Sequence, residues 1–106
     1  MMTHYLVTAE ICVTGNYYPQ SRHTFLVEVD SEKVFIGKTA QGVFERAHMI
    51  EEAVSDATCD LLGAADLLTP PHAATVDVKL LRGGASPEKR PDRTAGGIKL
   101  WRVEQT

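Results

Sequence analysis

The chain has 106 residues and a net charge of −3, with 43% of its residues apolar and 24% charged. That balance belongs to folded globular proteins and excludes the low-hydrophobicity, high-charge signature of disorder. The length supports one hydrophobic core and not two, so residues 1–106 are expected to form a single domain.

Residues 4–14 alternate, with Tyr5, Val7, Ala9, Ile11 and Val13 facing one way and Leu6, Thr8, Glu10, Cys12 and Thr14 the other. This is the period of a half-buried strand. Residues 15–22 hold the Gly, Asn and Pro that interrupt strands, and a loop is expected there. Residues 23–29 alternate again, with Phe25, Val27 and Val29 on one face. The polar interruption at residues 30–33 before Val34-Phe35-Ile36 predicts a tight hairpin, with Val29 opposite Val34, Val27 opposite Ile36 and Asp30 opposite Lys33.

Between residues 40 and 68 the apolar positions Val43, Ala47, Ile50, Val54, Ala57, Leu61, Ala65 and Leu68 recur at helical spacing. Thr39 is the expected N-cap, Gly63 an end or a kink, and Thr69-Pro70-Pro71 forbids continuation. Residues 75–81 and 97–104 read as two further strands, separated by the breaker-rich loop 82–96. The fold class predicted is α+β, an antiparallel sheet of about five strands in the order βββαββ packed against one long amphipathic helix. With short connections, this order puts loops 15–22 and 82–96 at one end of the sheet beside the helix N-terminus. That end would gather Tyr17, Tyr18, Arg22, Lys38, Arg82, Lys89, Arg90 and Arg93.

The charge is unevenly spread. Residues 1–78 hold four Lys/Arg against eleven Asp/Glu, and residues 79–106 hold seven against three. Such asymmetry describes either a basic site for an anionic partner or a solvated acidic helix beside solvated basic strands. Tyrosines 17 and 18 with the cations of 82–93 combine stacking and phosphate-neutralising groups, although Glu88 and Asp92 reduce the loop's charge.

Motifs for chemistry are sparse. Gly37-Lys38-Thr39 resembles the end of a phosphate-binding loop, but the glycine required five residues earlier is Glu32. Glu45 and His48 have the spacing of a helical metal motif without the matching carboxylates of other helices, and His48 with Glu52 reads as a solvent-facing pair. Ser21, His23, Cys12 and Cys59 have no visible activating partner, so no catalytic residue, metal or cofactor is expected.

The second face of the sheet would carry Leu6, Leu26, Phe35, Leu81 and Trp101. That is too apolar for a solvated surface, so a homodimer interface is expected there, unless residues 69–74 or loop 82–96 fold over it. No stretch approaches the ~20 apolar residues of a membrane span. The amino terminus has no export signal, and the two cysteines lack disulfide or zinc spacing. The sequence thus predicts a cytoplasmic, non-enzymatic binding or regulatory module with a basic loop end for an acidic protein surface or nucleic acid. The alternatives are a small enzyme with a pocket between helix and sheet, and an interaction subunit working through the apolar sheet face.

Overall fold

The structure, a computed structural model, describes residues 2–13, 15, 18–37, 39 and 41–103. Its elements are β1 (Met2–Val13), β2 (Ser21–Asp30), α1 (Ser31–Val34), α2 (Val43–Ala64), β3 (His72–Leu81), β4 (Arg93–Ala95) and β5 (Ile98–Val103). The strands form one antiparallel sheet in the order β3-β1-β2-β5-β4, and α2 crosses one face of it. The expected α+β class, five antiparallel strands against one long helix, is what the chain forms.

The alternation read in the sequence is what assigns the faces. Val7, Ala9 and Ile11 of β1, Phe25, Val27 and Val29 of β2, and Ile98 and Leu100 of β5 are buried beneath Val54, Ala57 and Leu62 of α2. Val7 lies opposite Phe25 on one side and Val78 on the other, so a single apolar layer runs across the sheet. Thr58 is also fully buried, and its hydroxyl donates to the Val54 carbonyl oxygen at 2.8 Å, which satisfies the donor within the helix itself.

The hairpin expected at residues 30–36 does not form. The Asp30 carboxylate accepts the Glu32 amide at 3.2 Å and the Phe35 amide donates to the Ser31 carbonyl, so Asp-Ser-Glu-Lys caps a helical turn instead of closing a hairpin. β5 takes the position beside β2, with Ile98 opposite Val29 and Leu100 opposite Val27. The fifth strand is therefore β4, not residues 34–36. Gly97 makes this crossing feasible: its φ is 90°, and a Cβ there would lie 2.6 Å from the Lys33 Cβ.

Without that hairpin, the long helix enters from the opposite end of the sheet. The Arg46 guanidinium lies 4.8 Å over the Phe35 ring, so α2 starts at the Asp30 end and runs toward the Val13 end. There β3 begins, with His72 opposite Val13, and it returns until Leu81 faces His4. The end of β1 and the end of β3 consequently lie at opposite ends of the sheet, so the expected cationic residues are not gathered at one end among the described residues.

The helix itself is shorter than its apolar stripe. Its N-cap is Gly42, not Thr39, and Glu45 reaches back to the Gln41 amide at 2.7 Å. Val43 and Phe44 project beyond the sheet at 81% and 92% exposure. The helix passes Gly63 and ends at Ala64, where the Leu67 amide bonds to the Leu62 carbonyl and the Asp66 amide to the Gly63 carbonyl. Asp66, at φ 58°, holds the left-handed position that closes this Schellman motif.

Candidate functional site

The outer face of the sheet, away from α2, is built by the opposite phase of the same alternation. His4, Leu6, Glu28, Leu26, Lys99 and Trp101 lie on it, with Leu6 opposite both Leu26 and Lys79, and Leu26 opposite Trp101. Residues 82–92 leave β3 at one edge and must reach β4 at the other. They do so by crossing this face as a strap.

Two anchors hold the strap down. The Ser86 hydroxyl donates to the Glu28 carboxylate and sits 2.9 Å from His4 Nε2. The Trp101 indole N–H donates to the Lys89 carbonyl at 2.9 Å. Gly84 lies so close to His4 that a Cβ on it would come within 2.8 Å of the His4 Cβ. Trp101 is thereby only 3% exposed, and Leu6, Leu26 and Leu81 are half-buried. Phe35 is on the other side, packed against the helix-side core. The five residues expected to form an interface therefore share no single exposed surface; the strap covers the apolar part of the outer face instead.

Above this apolar floor the strap carries charge. Arg82, Lys89 and Arg90 are exposed, and Lys79 and Lys99 flank them on the same face. None of the five has a carboxylate within ion-pair distance among the described residues. Lys79 and Lys99 were not legible as part of a site, because their strands place them there only through pairing with β1 and β2. Of the other expected site residues, Arg22 is neutralised by Glu10 at 2.8 Å, and Tyr18 is 81% exposed at the far end of the sheet. Arg93 is half-buried on β4, its Nε shielded without a hydrogen-bond partner among the described residues. Tyr17 and Lys38 lie outside the described residues. Gly37 follows a helical turn rather than a strand, and α2 starts only at Val43, with Gly42 rather than Thr39 as its N-cap.

The helix side has a cavity of about 210 Å³ between Phe25, Leu61, Leu62, Ala65 and Leu67, with Asp92 and Arg102 at its mouth. This is below the usual size of a substrate cleft. Two serine–histidine contacts occur among the described residues. Under the strap Ser86 lies against His4 but gives its proton to the Glu28 carboxylate; beside this cavity Ser21 Oγ lies 3.1 Å from His23 Nε2, and Arg102 Nη2 lies 3.0 Å from His23 Nδ1. A guanidinium has only donors, so Nδ1 accepts and the neutral ring carries its proton on Nε2. His23 then donates to Ser21 and has no lone pair left to activate it, the reverse of the wiring that makes a serine nucleophilic.

The other residues singled out in the sequence are not assembled into a site among the described residues. His48 and Glu52 are a solvent-facing pair, 3.8 Å apart with side chains 77% and 65% exposed. Among the described residues no three of His, Cys, Asp and Glu come together as a metal site. Burial, helped by Asp56 and Asp60, pushes the Cys59 thiol up, away from thiolate reactivity. Both cysteines are free, and no helix among the described residues is long and apolar enough to cross a membrane. The fold and site together define a small antiparallel α+β domain with a strap across its outer face. Compared with family models, characterised proteins and solved structures, the chain matches none.

Proposed function

We propose that this chain is a non-enzymatic binding module of the cytoplasm whose strapped outer face receives an acidic protein surface. The observation that carries the reading is the anchored strap: Ser86 and the Lys89 carbonyl are tied to the sheet, while Arg82, Lys89 and Arg90 stay exposed with no carboxylate partner among the described residues. A cation on a backbone already held in place loses less freedom on docking than one on a free loop, so more of its attraction survives as affinity. The two free thiols support a reducing compartment.

Nucleic acid is the other anion to weigh. Single strands are held by aromatic faces interleaved with cations, and here Tyr18 is at the far end of the sheet and Trp101 is under the strap. That separation favours a protein partner. The enzyme alternative is disfavoured by the Arg102-fixed tautomer of His23.

The test is a titration of a polyglutamate peptide and of a single-stranded oligothymidylate at low and high salt. We expect the peptide to bind at low salt, weaken as salt rises, and be lost in the R82A/K89A/R90A variant without a change in stability. Tighter binding of the oligothymidylate would move the assignment to nucleic acid. No affinity for either probe at low salt would overturn it.

A further inference from the structure

The two edges of the sheet are finished differently. β4 is three residues long and follows Pro91, the short and proline-flanked form that keeps an edge from pairing. β3 is ten residues long, pairs with β1 in unbroken register from His72 to Leu81, and contains no proline. Its other side has no strand beside it among the described residues. Alternate residues of β3 therefore turn their N–H and C=O groups outward along a straight edge, the arrangement that accepts an added strand.

The space beside that edge has a definite chemistry. α2 lies over the β3 side of the sheet, and between them is a groove of about 510 Å³. Its helix wall is Glu51, Glu52 and Asp56 with His48 and Ser55 among them, its strand side is Val76, Asp77 and Val78, and no Lys or Arg among the described residues lines it. Val76 and Val78 are half-buried and turn the same way as Val7 and Ala9, toward the helix. An incoming strand sends alternate side chains to that same side. Those side chains meet two valines first and carboxylates beyond them.

We propose that the β3 edge and this groove take an extended basic segment of a partner protein as an additional strand, with Lys or Arg at alternate positions. The methylene stems lie on Val76 and Val78, and the charged heads reach Glu51, Glu52 and Asp56. The charge distribution selects this occupant over a second copy of the chain. Antiparallel pairing of β3 with β3 about a two-fold axis keeps both helices on one face, so the acidic walls of the two copies would confront each other. This surface is separate from the strapped face and opposite in charge, so the two proposals stand or fall independently.

The experiment uses the full chain and an eight-residue capped peptide alternating lysine with valine, with amide hydrogen exchange followed by NMR. Binding with new protection of alternate β3 amides is expected. A second peptide, N-methylated on every other residue along one edge, removes the main-chain donors and should not bind. E51Q/E52Q/D56N, a surface variant that keeps the core intact, should weaken the first peptide by about tenfold or more, since three partly exposed charge contacts are lost. Binding without β3 protection, or equal binding of a glutamate–valine peptide, would overturn the proposal. So would β3 amides already protected in a free chain that light scattering finds to be dimeric.

Discussion

The Lys89 carbonyl and the Trp101 indole are joined by a hydrogen bond of 2.9 Å that ties the middle of a loop to the last strand of the sheet. Trp101 thus has two roles in one side chain. Its ring fills the outer-face position opposite Leu26, and its N–H fixes the backbone of the residue whose ammonium the strap presents. The order of the strap at Lys89 and the placement of that charge both follow from this contact.

Replacing Trp101 with Phe keeps an aromatic ring on the face but removes the donor and part of the buried ring volume. We expect a loss of about 2 to 3 kcal/mol, of which the hydrogen bond is about 1 and the lost ring volume the rest. The larger effect is local: tryptic cleavage after Lys89 should accelerate, since the strap must leave the sheet to enter a protease. Arg90 precedes Pro91 and is not a competing site. Urea denaturation and timed digestion measure the two effects separately.

The helix predicts a contrast that its apolar stripe alone does not. Leu62 is 1% exposed and packed in the core, so Leu62→Ala should cost about 2 to 5 kcal/mol through lost transfer energy and a cavity. Val43 belongs to the stripe read in the sequence, as Leu62 does not, yet it is 81% exposed, so Val43→Ala should change stability by less than about 0.5 kcal/mol. Equal losses in the two variants, measured by denaturation, would mean that the first turns of α2 are packed in solution.

That contrast marks how far the sequence can be read. Periodicity identifies a helix, and for β1 and β2 it identifies the buried face correctly, because Val7, Phe25 and Val27 need only a local pattern to be sorted. It cannot say where the sheet beneath a helix stops, which is why Val43 counts equally with Val54 in the stripe. Val34-Phe35-Ile36 reads as a strand because three apolar residues fit either period, and the deciding contact, the Asp30 carboxylate on the Glu32 amide, is a capping bond. The strap is legible as a long loop but not as an ordered one. Its anchors join residues 82 apart for His4 and Ser86 and 58 apart for Glu28 and Ser86, and no local pattern encodes such pairs.

Asp66 closes the C-terminus of α2 at φ 58°, a conformation that costs a residue with a Cβ and costs glycine little. Its carboxylate also sits at the end of the helix where the aligned peptide dipoles leave partial negative charge. Both terms point the same way, so Asp66→Gly should raise stability by about 0.5 to 1 kcal/mol after the entropy of glycine in the unfolded chain is subtracted. The side chain is exposed, and no binding measurement should change with it. A thermal melt that moves down instead of up would mean the Schellman closure is not held in solution.

His23 gives the fold a pH dependence whose sign is set by its neighbours. Burial is the larger cause and the Arg102 charge the smaller, and together they hold the imidazole below its ordinary value of 6.5. The contact at Nδ1 explains the direction, since protonating that nitrogen would set N–H against N–H. As the pH falls through the ordinary value, the unfolded chain takes up a proton that the folded chain refuses. The unfolded state then binds more protons, and stability declines with falling pH until the folded imidazole also titrates. Above about pH 7.5 both states are neutral at this position and the effect vanishes. In His23→Gln the titrating group is gone, so its urea-unfolding free energy should fall less than that of the unmodified chain between about pH 7.5 and pH 5. Every other group is common to the two proteins, so the difference between the two curves isolates His23. Arg102→Gln should in turn raise the His23 pKa read from its ring protons by NMR. Parallel stability curves, together with an unmoved pKa in the arginine variant, would show that the Arg102 guanidinium does not sit on Nδ1 in solution, and His23 would then be free to serve Ser21 as a base.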